Sequence, residues 1–186
     1  MYINEAATDT TTTEPQTSTQ TGTTDANTTT SYTTPGGTEM YDSDGNGIID
    51  TVGYDTNADG AVDTVLMDTD GDQVSDTIVQ DTNHDGQADL MVEDTDHDGW
   101  VNNLYTDTDA DGNLDTVASD TDNNGTLETV QIDEDGDGIL DVSVSDFNAD
   151  GTADVVLLDT NADGAYDTAY ADTDGDGDLE QVDFQD

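Results

Sequence analysis

Lysine and arginine are missing from all 186 residues, which nevertheless carry 47 acidic side chains and a formal charge of −47. No salt bridge to a permanently cationic side chain can form within the chain, so the neutralising charge must come from outside it. Nucleic acid and anionic membrane surfaces are excluded as electrostatic partners, because both repel a polyanion. Cysteine is also missing, which removes disulfides and thiolate metal ligands as staples. Apolar residues make up only 31% of the chain, and no apolar run approaches the length needed for membrane insertion. Burial on that scale is too small to offset ordering entropy and charge repulsion, so the composition alone is that of a disordered chain. A bound cation is the remaining route to a fold.

What is present is a repeat. Acids recur in the pattern DxDxDG at Asp42, Asp55, Asp68, Asp81, Asp94, Asp107, Asp120, Asp133, Asp146, Asp159 and Asp172, a spacing of 13 residues without insertion. Each of these begins a unit of consensus DTDxDGxxDTVxx. Unbroken phase over eleven units requires every unit to pack on its neighbours in the same way, as in a repeat array. Oxygen-bearing side chains also fill three further positions of every unit. Position 3 holds Asp44, Asn57, Asp70, Asn83, Asp96, Asp109, Asp122, Asp135, Asn148, Asn161 and Asp174. Position 5 holds Asn46, Asp59, Asp72, Asp85, Asp98, Asp111, Asn124, Asp137, Asp150, Asp163 and Asp176. Position 9 holds Asp50, Asp63, Asp76, Asp89, Asn102, Asp115, Glu128, Asp141, Asp154, Asp167 and Glu180. Position 6 is glycine except at Gln73, consistent with a tight reversal that turns alternate oxygens inward. Oxygen-only ligands select a hard cation, and Ca²⁺ is expected, at about one ion per repeat. A bidentate acid at position 9, water or a neighbouring unit would complete the shell.

These loops resemble known calcium loops over about 145 residues. Their first six positions are similar to those of EF-hand and dockerin loops, but position 12 carries Leu66, Val79, Val92, Tyr105 or Leu157 where those families place an acid. The DxDxDGxxD loop of FG-GAP repeats is a closer likeness, with its last acid running directly into a strand as in "DFNADGTADVVLLD" from Asp146. Thrombospondin type 3 repeats are similar in composition but contain cysteines. The resemblance implies calcium ligands at positions 1, 3, 5 and 9. It does not imply the FG-GAP propeller, since 13 residues leave no room for a four-stranded blade.

Between the loops, segments such as "DTVLM", "DTIVQ" and "DVVLL" are short and β-branched, which predicts a strand per unit. Position 8 is apolar or small, and position 11 is apolar everywhere but Ser143. The expected fold is therefore all-β: a calcium-loaded repeat solenoid of eleven loop-plus-short-strand units over 42–186. Two units could close one 26-residue coil of a two-sheeted roll, and a ribbon of ion-filled loops with few ladder bonds is the alternative. Residues 1–41 form a Thr-rich extended leader with 16 threonines. Its segments "DTTTTE" and "NTTTSYTT" are suited to adding to a sheet edge of this or another subunit. Asn27 fits a glycosylation acceptor, which makes glycans a candidate partner.

His84 and His97 share position 4, between two ligands, and are expected to face solvent. The ranked Thr56, Thr69, Thr82 and Thr95 at position 2 admit an ice-facing reading. Carboxylates that ligate a cation are poor general bases, so no catalytic site and no enzyme are expected. The functional expectation is an extracellular or cell-surface structural protein that assembles head to tail with itself into a filament or matrix. A monomeric, calcium-stiffened adhesin stalk or spacer is the alternative.

Overall fold

Each unit alternates a nine-residue loop, dense in Asp, Asn and Gly that break regular structure, with four residues rich in β-branched and aromatic side chains. The structure, a computed structural model, describes residues 30–33 and 37–183. It contains thirteen strands and no helix among those residues: β1 (Thr30–Thr33), β2 (Glu39–Asp42), β3 (Thr51–Tyr54), β4 (Thr64–Met67), β5 (Thr77–Gln80), β6 (Leu90–Glu93), β7 (Asn103–Thr106), β8 (Thr116–Ser119), β9 (Thr129–Ile132), β10 (Val142–Ser145), β11 (Val155–Leu158), β12 (Thr168–Ala171) and β13 (Glu180–Val182).

All thirteen lie in one sheet in sequence order, each antiparallel to the next. The all-β repeat of loop plus short strand is the architecture expected from the 13-residue phase. Two units do make one structural period, one strand up and one down, but they share one open sheet instead of closing a two-sheeted roll. The reason lies in the loop. Its base is closed by a backbone bond from position 9 to the residue preceding position 1, as from Asp63 N to Tyr54 O at 2.8 Å, so each loop is a hairpin turn and not a crossover. Further bonds from position 1 to position 9 of the loop two units earlier, as from Asp68 N to Asp50 O at 2.8 Å, extend the ladders to the loop bases. Consecutive loops consequently project from opposite edges of the sheet, and loops 26 residues apart are neighbours on one edge.

The register assigns the apolar side chains. Met40, Val52, Leu66, Ile78, Val92, Leu104, Ala118, Val130, Val144, Val156 and Tyr170 face one another strand by strand, which places them in one row on one face. The corresponding row on the other face includes Val65, Val79, Met91, Tyr105 and Val117 but is interrupted by Gln131 and Ser143. Position 8 folds over these rows. Val101 and Leu127 pack with Val92, Ile78, Leu90 and Leu104, while Gln131 donates to the Tyr166 hydroxyl at 3.3 Å.

The sheet starts before the first loop. Met40 faces Val52 in the same register as the later pairs up to β11 with β12, and Thr30–Thr33 within the leader's "NTTTSYTT" adds β1 to the edge of β2 in the same chain. "DTTTTE" and Asn27 lie outside the described residues. At the far end the register slips by one residue: Tyr170 faces Gln181, where the repeat would place Val182. β13 thereby turns its side chains to the opposite faces from those the repeat dictates.

Val92 is the most deeply buried apolar side chain, at 1% exposure. Val92→Ala should lower unfolding free energy by about 2 kcal/mol, whereas Ile48→Ala, at a site 48% exposed, should change it by less than about 0.5 kcal/mol. Denaturant unfolding in saturating calcium measures both.

Candidate metal centre

Carboxylates outnumber apolar side chains among the buried residues described. Among the described residues only Val92, Val101 and Ala169 are buried apolar side chains, whereas Asp42, Asp63, Asp76, Asp94, Asp115, Asp120, Glu128 and Asp159 are all buried acids. Every one of these eight occupies position 1 or 9, at the loop base where the chain leaves and re-enters the sheet.

Backbone amides hold the acids in place. In all eleven loops the position 6 amide donates to the position 1 carboxylate, as from Gly60 N to Asp55 Oδ2 at 2.9 Å. The position 7 amide donates to the position 5 side chain, as from Ala61 N to Asp59 Oδ1 at 2.8 Å. The position 2 amide donates to the position 9 side chain, as from Thr56 N to Asp63 Oδ2 at 2.6 Å. In seven loops the position 5 amide also donates to position 3. All 44 side chains singled out by the repeat therefore lie in these loops, and those of positions 1, 5 and 9 are engaged by an amide in every one.

The geometry also brings ligand oxygens together. The sets Asp42, Asp44 and Asp50; Asp68, Asp70 and Asp72; Asp94, Asp96 and Asp98; and Asp107, Asp109 and Asp115 each place three carboxylate oxygens within 4.8 Å of one another. All four sets come from loops with Asp at position 3. Where position 3 is Asn, its Nδ2 can donate to the neighbouring carboxylate instead, as from Asn83 to Asp89 Oδ1 at 2.8 Å and from Asn148 to Asp154 Oδ1 at 2.9 Å. Glu128 tests whether the loops fit a cation. Its Oε2 accepts from Thr121 N at 3.1 Å, while its Oε1 is buried without a hydrogen-bond partner. A buried, unpartnered carboxylate oxygen at position 9 fits a bound metal ion and is costly without one.

Three features escaped the sequence reading. First, position 4 has a left-handed backbone in every loop, and seven of its residues are not glycine: Ala58, His84, His97, Ala110, Asn123, Ala149 and Ala162, with φ between 54° and 63°. Each such residue costs about 1 kcal/mol relative to a right-handed conformation. Secondly, the ranked threonines do not form an outward array. The hydroxyls of Thr56, Thr69 and Thr82 donate to Asp63, Asp76 and Asp89, and that of Thr95 to Asn102. Thirdly, the two histidines do not simply face solvent. His84 Nδ1 lies 3.2 Å from Asp63 Oδ1, and His97 Nδ1 lies 3.0 Å from Asp76 Oδ1, each reaching the loop two units earlier. The same reach is made by Asn123, whose Nδ2 donates to Asp96 Oδ2 at 2.5 Å and whose Oδ1 accepts from Asn102 Nδ2 at 3.2 Å.

No family model, curated protein or solved structure matches this chain. The site rests on its own geometry.

Hydrogen bonds lower the pKa of several position 9 carboxyls. The Thr56 hydroxyl holds Asp63 below the ordinary carboxylate range, as the Thr82 and Thr160 hydroxyls do for Asp89 and Asp167. Burial pushes Asp76 and Asp115 up, but the hydroxyls and amides of Thr69 and Thr108 outweigh it and leave both below their usual values. A carboxyl lowered in the folded state stabilises the fold above its unfolded value, about pH 3.9, and the contribution fades as pH falls through the folded value. At constant saturating calcium, stability should be flat above about pH 5 and decline below about pH 4. Thr69→Val should move the Asp76 titration upward, read by carboxyl ¹³C NMR. A rise in stability on acidification would instead mean that charge repulsion dominates.

Proposed function

We propose that this chain is an extracellular, non-catalytic structural protein that calcium folds and that assembles head to tail with itself into a surface filament or matrix. The observation that carries the reading is the burial of eight acids in a chain without lysine or arginine. Buried charge requires a partner, and two histidines cannot provide one for eleven loops. Oxygen donors from alternate residues favour Ca²⁺ over Mg²⁺, which holds a smaller octahedral shell and keeps more of its water. Residues 42–186 carry a formal charge of −42, which eleven divalent ions would reduce to −20.

Location follows from affinity. Extracellular modules with ligands of this type bind calcium at about 10⁻⁴ to 10⁻³ M, so their sites fill outside the cell and stay largely empty within it. Chain export would then be followed by folding. Assembly is supported by the open sheet, which exposes the backbone of β13 at one end and has β1 at the other. The stalk reading is favoured by a different observation: Thr30–Thr33 already pairs with its own β2, so that the leader's donation to a neighbour would have to come from residues before Thr30.

Two experiments test this. Calcium titration by calorimetry should saturate at about eleven ions, and chelator should convert the protein to an expanded coil by circular dichroism and hydrodynamic radius. Saturation at two or three ions, or a fold indifferent to chelator, would overturn the calcium reading. Electron microscopy in millimolar calcium should show filaments, and deletion of residues 1–37 should abolish them. Single short rods from the intact protein would replace the filament by the stalk.

A further inference from the structure

One loop acquires a donor that the repeat does not encode. In the loop of residues 68–76, the acids Asp68, Asp70, Asp72 and Asp76 fill all four ligand positions. His97 enters from the loop 26 residues later on the same edge. Its Nδ1 stands 3.0 Å from Asp76 Oδ1 and 3.8 Å from Asp70 Oδ2, and one atom from each residue lies within 4.8 Å of the other two. The Asp76 side chain is 5% exposed, the other two about one-third, at 34% for His97 and 33% for Asp70. The left-handed backbone of His97, φ 61°, accompanies this reach across to the earlier loop, as in His84 and Asn123.

We propose that Asp70, Asp76 and His97 form a transition-metal site, with zinc as its expected ion, in which a histidine from one loop completes the ligand set of another. Two ligand atoms in adjacent positions of an ion with bonds of about 2.0–2.1 Å are separated by about 3–3.5 Å, close to the spacings found here. Calcium has no preference for an imidazole, whereas zinc, nickel and copper bind one readily. A nitrogen donor beside two carboxylates is therefore a selectivity element, and it also bridges two loops that the sheet alone holds side by side. His84 supplies an internal comparison. It reaches Asp63 in the same way, but position 3 of that loop is Asn57, so the second carboxylate is missing.

This inference rests on reading the loops as cation sites, and the test separates the two. The full chain is saturated with calcium and titrated with Zn²⁺ by calorimetry. The wild type should show one site at least about tenfold tighter than any in His97→Gln, while His84→Gln should retain it. In the wild type itself, His97 imidazole ¹⁵N resonances should shift on addition of one equivalent of Zn²⁺, a readout that requires no variant to fold. Equal zinc affinity in the wild type and His97→Gln, or an unmoved His97 resonance, would overturn the zinc site even where calcium binds in full. A His97-dependent zinc site in a protein that binds no calcium would support this inference and defeat the calcium reading alone.

Discussion

Everything in this structure turns on buried carboxylates for which the chain contains no permanently cationic partner. In an ordinary domain the interior is apolar and charges are confined to the surface. Here three apolar side chains and eight acids are buried among the described residues. A strand of four residues, about 13 Å long, cannot bury much on its own. Its ends are therefore anchored at the loop bases, where positions 1 and 9 meet, and those bases are stable only if their charge is met.

The loops prepare for that charge without supplying it. Amides at positions 2, 6 and 7 each bind a ligand side chain in every unit, which orients the carboxylates but leaves the net charge of each loop negative. Seven non-glycine residues at position 4 add strain of about 1 kcal/mol each. Strain at a ligand loop persists only when surrounding contacts over-determine it. Metal–oxygen bonds across positions 1, 3, 5 and 9 would be contacts of that kind. Alanine at four of these positions would thus be tolerable in a metal-loaded loop and a further reason for an empty loop to open.

Loop positions and strands were legible because both are local. The Asp spacing marks the loops, and β-branched runs at positions 10–13 mark the strands, so every unit of "DTVLM" type appears where the phase places it. The single sheet was not legible, since a 13-residue strand-loop unit fits a hairpin or a crossover equally well, and the choice is made by the backbone bond from Asp63 to Tyr54 and its equivalents. Contacts of His84, His97 and Asn123 were also hidden. They join residues 21 to 27 apart, and only the alternation of loops between edges makes such residues neighbours. Position 2 offered a signal that could have been read: Thr or Ser recurs there seven residues before position 9, and its hydroxyl can accompany the amide onto one carboxylate oxygen.

Alternation between edges also shapes how the array responds to ions. Loops on one edge are two strand spacings apart, about 9.6 Å, slightly more than the Debye length of about 8 Å in physiological salt, so repulsion between them is weakened by screening but not removed. A vacant loop repels its same-edge neighbours, and a filled loop reduces that repulsion. Each strand, moreover, runs between a loop on one edge and a loop on the other, so ordering one loop fixes the end of a strand that begins the next. Filling is thereby coupled along each edge by charge and across the sheet by the strands. On the proposed calcium reading, a chain with these two couplings would pass from coil to continuous sheet over a narrower range of calcium than independent sites would.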